Sequence, residues 1–116
     1  MTSSHPPVPV DFYFDYLSPY AYFGWMQSRE AAEADGFELR PIPVVFAKLL
    51  DAHGQLGPAE IPAKALFVLR DNLRFAKRHG IPFTLPGKHP FRSIEALRLS
   101  LAEVAGKDQI AVIDAL

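Results

Sequence analysis

Val8, Val10, Phe12 and Phe14 alternate with Pro9, Asp11, Tyr13 and Asp15. A period of two in aromatic and β-branched residues predicts a strand over residues 8–15. Tyr13 gives the second face apolar character too, which suits a strand covered on both sides. The period then changes. Ser18-Pro19 is a helix start, with serine at N-cap and proline at the first helical position. The helix is expected to reach about Asp35, with Ala21, Trp25, Ser28 and Ala32 as its inward stripe and Gly36 just past its end. Residues 37–45 read as a second strand, with Phe37, Leu39 and Pro41 on one face. Pro41 and Pro43 cannot donate to a ladder, so this strand lies at an edge or breaks early. If the two strands pair, the opening is a right-handed βαβ crossover.

The rest of the pattern is helical. Residues 46–61 combine a short helical turn with an irregular stretch, His53-Gly54-Gln55-Leu56-Gly57-Pro58. Pro62 opens a strong helix that runs to His79 and closes at Gly80, with Leu66, Leu69, Leu73 and Ala76 at helical spacing. Residues 81–91 contain three prolines and read as a connector. Ser93 is expected to cap a helix carrying Ile94, Leu97, Leu101 and Val104, ended by Gly106. Residues 107–116 begin a further helix on Ile110, Ile113 and Ala115, and residues 1–7 read as a frayed tail. The expected fold class is α/β: a βαβ portion over residues 8–46, then a helical portion over residues 47–116. A two-stranded sheet is marginal alone and the last helix stops in mid-pattern, so the expectation is a piece of something longer.

Composition narrows the chemistry. The chain has 116 residues, 49% hydrophobic and 22% charged, in the ordinary globular range. The net charge of -1 provides no field for nucleic acid or an anionic membrane. No apolar run approaches the roughly 20 residues of a membrane span, and no signal-peptide pattern opens the chain; a cytoplasmic protein is expected. There is no cysteine, which excludes disulfides, thiolate metal sites and a Cys-x-x-Cys dithiol. Any thiol chemistry must use a thiol from another molecule. His5, His53, His79 and His89 are far apart in sequence, and no metal site is expected.

Ser18 is the first candidate for chemistry. A helix N-terminus carries unpaired N–H groups and about half a positive charge, so it stabilises an anion. A hydroxyl there can donate to that anion, and a bound thiol would have its pKa lowered, as cysteines at helix N-termini do. The competing reading is that Ser18 only caps. Tyr13, Tyr16, Tyr20, Tyr22, Phe23 and Trp25 crowd the same segment and serve either as core or as the lining for a flat organic substrate. A second candidate region runs from His53 to Lys64. Gln55 can donate to and accept from an amide-like ligand. Lys64 occupies a first helical turn, a poor place for a cation, and either meets a carboxylate or simply solvates the surface. Lys64, Arg70, Arg74, Lys77 and Arg78 against Asp71 read as a solvated face rather than a nucleic-acid surface.

The run Phe12-Tyr13-Phe14-Asp15-Tyr16-Leu17-Ser18-Pro19-Tyr20 resembles the opening motif of 2-hydroxychromene-2-carboxylate isomerases and kappa-class glutathione transferases, in the DsbA-like branch of the thioredoxin superfamily. Pro58-Ala59-Glu60-Ile61-Pro62-Ala63-Lys64 with Leu69-Arg70-Asp71 resembles that family's first inserted helix. Ala76-Lys77-Arg78-His79-Gly80-Ile81-Pro82-Phe83 and the helix after Ser93 are similar too. The resemblance implies a thioredoxin domain interrupted by a helical insertion, and a glutathione-dependent cis–trans isomerase acting on a small aromatic-derived carboxylate. It implies that Ser18 is catalytic and holds the glutathione sulfur as thiolate, that Pro19, Gln55 and Lys64 also face glutathione, and that Tyr20, Tyr22 and Phe46 face the substrate. Apart from the resemblance, the incomplete two-stranded sheet favours association, and a homodimer is expected on that ground. Gly54-Gln55 departs from the Gly-Asn of many relatives, and its extra methylene moves the amide. The alternatives are a kappa-like transferase or peroxidase, a DsbA-like binding module without chemistry, and an inactive fragment.

Overall fold

The computed structural model describes residues 6–84, 87–88 and 91–116. The expected tail through His5, and the part of the connector that contains His89, lie outside the described residues. Strand β1 (Pro9–Phe14) leads into helix α1 (Pro19–Asp35), and β2 (Glu38–Pro43) returns parallel to β1. Pro9 pairs with Glu38 and Phe14 with Pro43. Helices α2 (Phe46–Ala52), α3 (Pro62–His79), α4 (Ile94–Leu99), α5 (Ala102–Ala105) and α6 (Gln109–Ala115) follow, with 3-10 turns at Pro58–Glu60 and Gly106–Asp108.

The long helices begin and end where their residue types dictate. Ser18 is extended (φ -94°, ψ 118°) and its Oγ accepts from the Ala21 amide at 3.2 Å. Pro19 takes the first helical position, where no N–H is needed. At the other end Gly36 adopts φ 71°, a left-handed conformation that L side chains avoid, and its amide bonds the Ala32 carbonyl at 2.9 Å. Pro62 and Gly80 (φ 63°) bracket α3 in the same way.

The main core joins Phe14 of β1, Trp25 of α1, Leu39 of β2, Leu97 of α4 and Ile113 of α6. It thus draws on residues from both sides of position 46. Full burial of each such side chain contributes about 1.5–3 kcal/mol. Trp25 is fixed further by its Nε1, which donates to Asp114 Oδ1 at 2.8 Å, while Arg29 pairs with Asp114 Oδ2. A second cluster lies on another side of α1, where Phe23 meets Phe75 and Phe83 with ring centroids 4.9 and 5.3 Å apart. Two positions along a helix turn through about 200°, so Phe23 and Trp25 point to opposite sides. The stripe through Ala21, Trp25 and Ala32 faces the core as expected, but α1 is covered on a second side that the stripe did not include.

Three expectations need correction. In α3, Leu66 and Leu73 are each 48% exposed, while Asn72 and Ala76 are buried. This helix is apolar on more than one side, and the Phe23–Phe75 contact selects the face that packs inward. The single helix expected from Ser93 to Gly106 is broken. Leu101 is extended (φ -65°, ψ 141°), and the fully buried Ser100 bonds back from its Oγ to the Ala96 carbonyl at 2.7 Å, a contact that competes with helix continuation. Ser93 does not cap with its side chain; its hydroxyl donates instead to Asp15 Oδ1 at 2.6 Å.

At the outer side of β2, Gln109 Nε2 donates to the Pro41 carbonyl at 3.1 Å and to the Ser100 carbonyl at 2.8 Å. The ladder to β1 is carried by the alternate residues: Glu38 N donates to the Val8 carbonyl, and Val44 N to the Phe14 carbonyl, both at 2.9 Å.

Candidate active site

Where β1 meets α1, the buried Asp15 (3% exposed) gathers the chain. Its Oδ1 accepts from the Leu17 amide at 3.0 Å and from Ser93 Oγ, and its Oδ2 accepts from the Phe46 amide at 2.9 Å. Its carbonyl accepts the Ser18 amide at 3.1 Å. One carboxylate thereby ties the end of a strand, the starts of α1 and α2, and the residue that precedes α4. Sequence reading passed over Asp15. A signal was present: an aspartate just after a strand and just before a helix start is the pattern of an Asx turn.

This arrangement sets which donors at the tip of α1 are available. Pro19 has no N–H. Ala21 N is taken by Ser18 Oγ, and Tyr22 N bonds the Ser18 carbonyl at 3.3 Å. Among the described residues, the Tyr20 amide is the first-turn N–H left without a protein acceptor. A hydroxyl has one hydrogen and two lone pairs. Ser18 uses a lone pair on Ala21, and its hydrogen has no acceptor among the described residues. The tip therefore offers an O–H, an N–H and the positive end of a 17-residue helix.

The tip opens on a cleft of about 880 Å³. Ser18, Pro19, Tyr20, Tyr22, Phe46 and Gln55 all line it, on α1, α2 and the loop after α2. The structure brings together six of the seven expected site residues. Lys64 is the seventh, exposed in the first turn of α3 and outside the lining. No lysine, arginine or histidine lines the cleft among the described residues, whereas Asp15, Asp51, Glu60 and Asp114 do. Gln55 is exposed beside Gly54, whose φ of 62° lets the loop turn back. The described residues contain no group of three or more His, Asp or Glu placed to hold a metal ion, and no helix is long and apolar enough to cross a membrane.

The two phenols of the α1 wall are engaged. The Tyr22 hydroxyl donates to the Pro82 carbonyl, and Tyr20 donates to Asp71 Oδ2 at 2.7 Å. Desolvation, then the bond to Asp71 and its negative charge, push the Tyr20 phenol up to about 12. The neutral phenol is favoured in the fold. Its contribution is complete below the ordinary value of 10.0 and is lost as pH rises through about 12. Phenolate absorbance in Tyr20→Phe should lack the latest-ionising of the four tyrosines; loss of an ordinary step near 10 instead would refute the Asp71 bond. Burial also raises the Tyr16 phenol, opposed by its bond to Ser100.

Known proteins share this architecture. The chain is 34% identical over 83 residues to glutathione S-transferase kappa 1 of Caenorhabditis elegans, covering 70% of the chain and 37% of that protein. It is 35% identical over 81 residues to a 2-hydroxychromene-2-carboxylate isomerase of Sphingobium xenophagum, covering 66% of the chain and 40% of that protein. A solved structure of 2-hydroxychromene-2-carboxylate isomerase superposes with a TM-score of 0.78 at 25% identity, over 93% of this chain and 53% of that one. The chain thus spans well under half the length of these two relatives. DSBA-like thioredoxin domains match residues 9–113. With the parallel β1–α1–β2 opening and the serine-capped helix tip, this match makes the chain a member of the DSBA-like thioredoxin domain family.

Proposed function

We propose that this chain serves a glutathione-dependent cis–trans isomerisation of the 2-hydroxychromene-2-carboxylate type, with Ser18 as the group that holds the glutathione sulfur as thiolate. The observation that carries this reading is that, among the described residues, the Ser18 hydroxyl hydrogen and the neighbouring Tyr20 amide have no acceptor, at a helix tip that opens on a largely apolar cleft. These donors fit a sulfur anion, and a chain without cysteine needs a thiol from its ligand. Bound glutathione would supply a thiolate that adds to an electrophilic carbon of the substrate, leaving a single bond that can rotate before elimination of the thiolate restores the double bond. The chain's residues would do the rest. Ser18 and the Tyr20 amide donate to the anion, Pro19 leaves the tip unobstructed, and Gln55 bonds the peptide part of glutathione. Tyr20, Tyr22 and Phe46 hold the aromatic part of the substrate, and Lys64, outside the lining, meets a carboxylate that projects from the cleft. A cytoplasmic setting and a homodimer belong to the same proposal.

Retention on immobilised glutathione, with elution by free glutathione, tests the binding step. Conversion of 2-hydroxychromene-2-carboxylate, followed by absorbance, tests the reaction. The expected result is turnover that requires glutathione and does not consume it. Absent retention, or turnover indifferent to glutathione, would overturn the proposal. Consumption of glutathione on a hydrophobic electrophile would favour the kappa-like transferase reading, which the similarity to the kappa relative supports.

A further inference from the structure

We propose that Asn72 Oδ1 is a hydroxyl-recognising acceptor in the cleft, a specificity-determining residue for substrates that carry a hydroxyl group; this rests on the reading above. Asn72 stands on the α3 wall of the cleft and is 1% exposed. Its amide orientation follows from chemistry: the group that meets the Val68 carbonyl at 2.8 Å must be the NH2, because two oxygens would repel. Oδ1 is then left as a buried acceptor with no partner, the one such side-chain atom among the described residues.

Among the described residues no donor meets it. Ala65, Val68, Leu69 and Phe83 are its apolar companions in the lining. Tyr20 and Tyr22 line the same cleft, but both hydroxyls are already committed, to Asp71 and to the Pro82 carbonyl. A buried acceptor without a partner weakens the fold, so an asparagine there calls for a reason. A leucine would complete the apolar face without that cost. An acceptor attracts an O–H and repels a carboxylate, so the group selected is the hydroxyl of a hydroxylated aromatic acid and not its carboxyl end. A site built to bond a hydroxyl discriminates strongly against the analogue lacking it, because the acceptor is then left bare.

Calorimetric titration with 2-hydroxycinnamate and cinnamate, in the presence of glutathione, tests this. The two acids differ by one hydroxyl. The protein should bind the hydroxylated acid on the order of 10-fold tighter. In Asn72→Leu the ratio should collapse toward unity, with cinnamate bound at least as well and thermal unfolding no earlier than in the parent. Asn72→Ala serves the same purpose should the larger side chain perturb the fold. Equal affinities in the parent, or a preference that survives both variants, overturns the inference. If Asn72→Leu weakens glutathione instead, Oδ1 accepts from a glutathione amide and the hydroxyl assignment is wrong. Failure of both acids to bind also overturns it, and glutathione retention measured in parallel shows whether the proposed function falls with it.

Discussion

Asp15→Ala is expected to destabilise the fold by about 3–5 kcal/mol. The carboxylate holds three donors, the Leu17 and Phe46 amides and the Ser93 hydroxyl. Bonds to a charged group are worth about 1.5–3 kcal/mol each, and donors left buried lose their hydration as well. The three share one acceptor group, so their losses are not additive. Since a small domain has about 5–15 kcal/mol in total, the variant should lie near the threshold of folding. Urea unfolding measures this: the midpoint should fall, with little change in slope. Asp15→Asn should lose less, because one oxygen remains while the NH2 confronts a former donor. A loss below about 1 kcal/mol in Asp15→Ala would show that the junction is held by packing and not by the carboxylate.

Ser18→Ala should cost about 1 kcal/mol of stability through the lost bond to Ala21. Its effect on turnover should be far larger, about 100-fold, the usual consequence of removing one preorganised donor from a developing or bound anion. The two roles separate by pH dependence. On the proposed reading the hydroxyl would favour the anion and so hold a bound thiol's pKa down. Without it the pKa rises, and the alkaline rise in rate should move to higher pH. A variant that melts earlier but keeps its rate and its pH profile would reduce Ser18 to a cap.

The βαβ opening and α3 were legible because their determinants are local: alternation in β1, Ser18-Pro19 and Gly36 around α1, Pro62 and Gly80 around α3. Residues named on the family resemblance gathered at one cleft, with Lys64 as the departure. What was not legible depends on partners distant in sequence. Whether the Ser93 hydroxyl caps its own helix or donates to Asp15 turns on a contact 78 residues away. The break after α4 turns on Ser100 being buried, which no helical period reveals. Asn72 on the inward face of α3 lies in the mixed run Arg70-Asp71-Asn72-Leu73-Arg74, where nothing local marks it as buried, while the helical spacing of Leu66 and Leu73 points to a different face.

The outer margin of β2 has a consequence for growth of the sheet. Since Glu38 and Val44 direct their amides at β1, the odd-numbered residues between them direct theirs away. Two of those, Pro41 and Pro43, have no amide hydrogen to offer, and the Pro41 oxygen is occupied by Gln109. An incoming backbone would find one N–H there, on Leu39, too few to zip alongside. Recruitment of any third strand is thus directed to the far flank of β1, where Asp11 and Tyr13 retain their hydrogens. Head-on association through β2, the commonest hazard of an open sheet, is blocked by the chain's own composition.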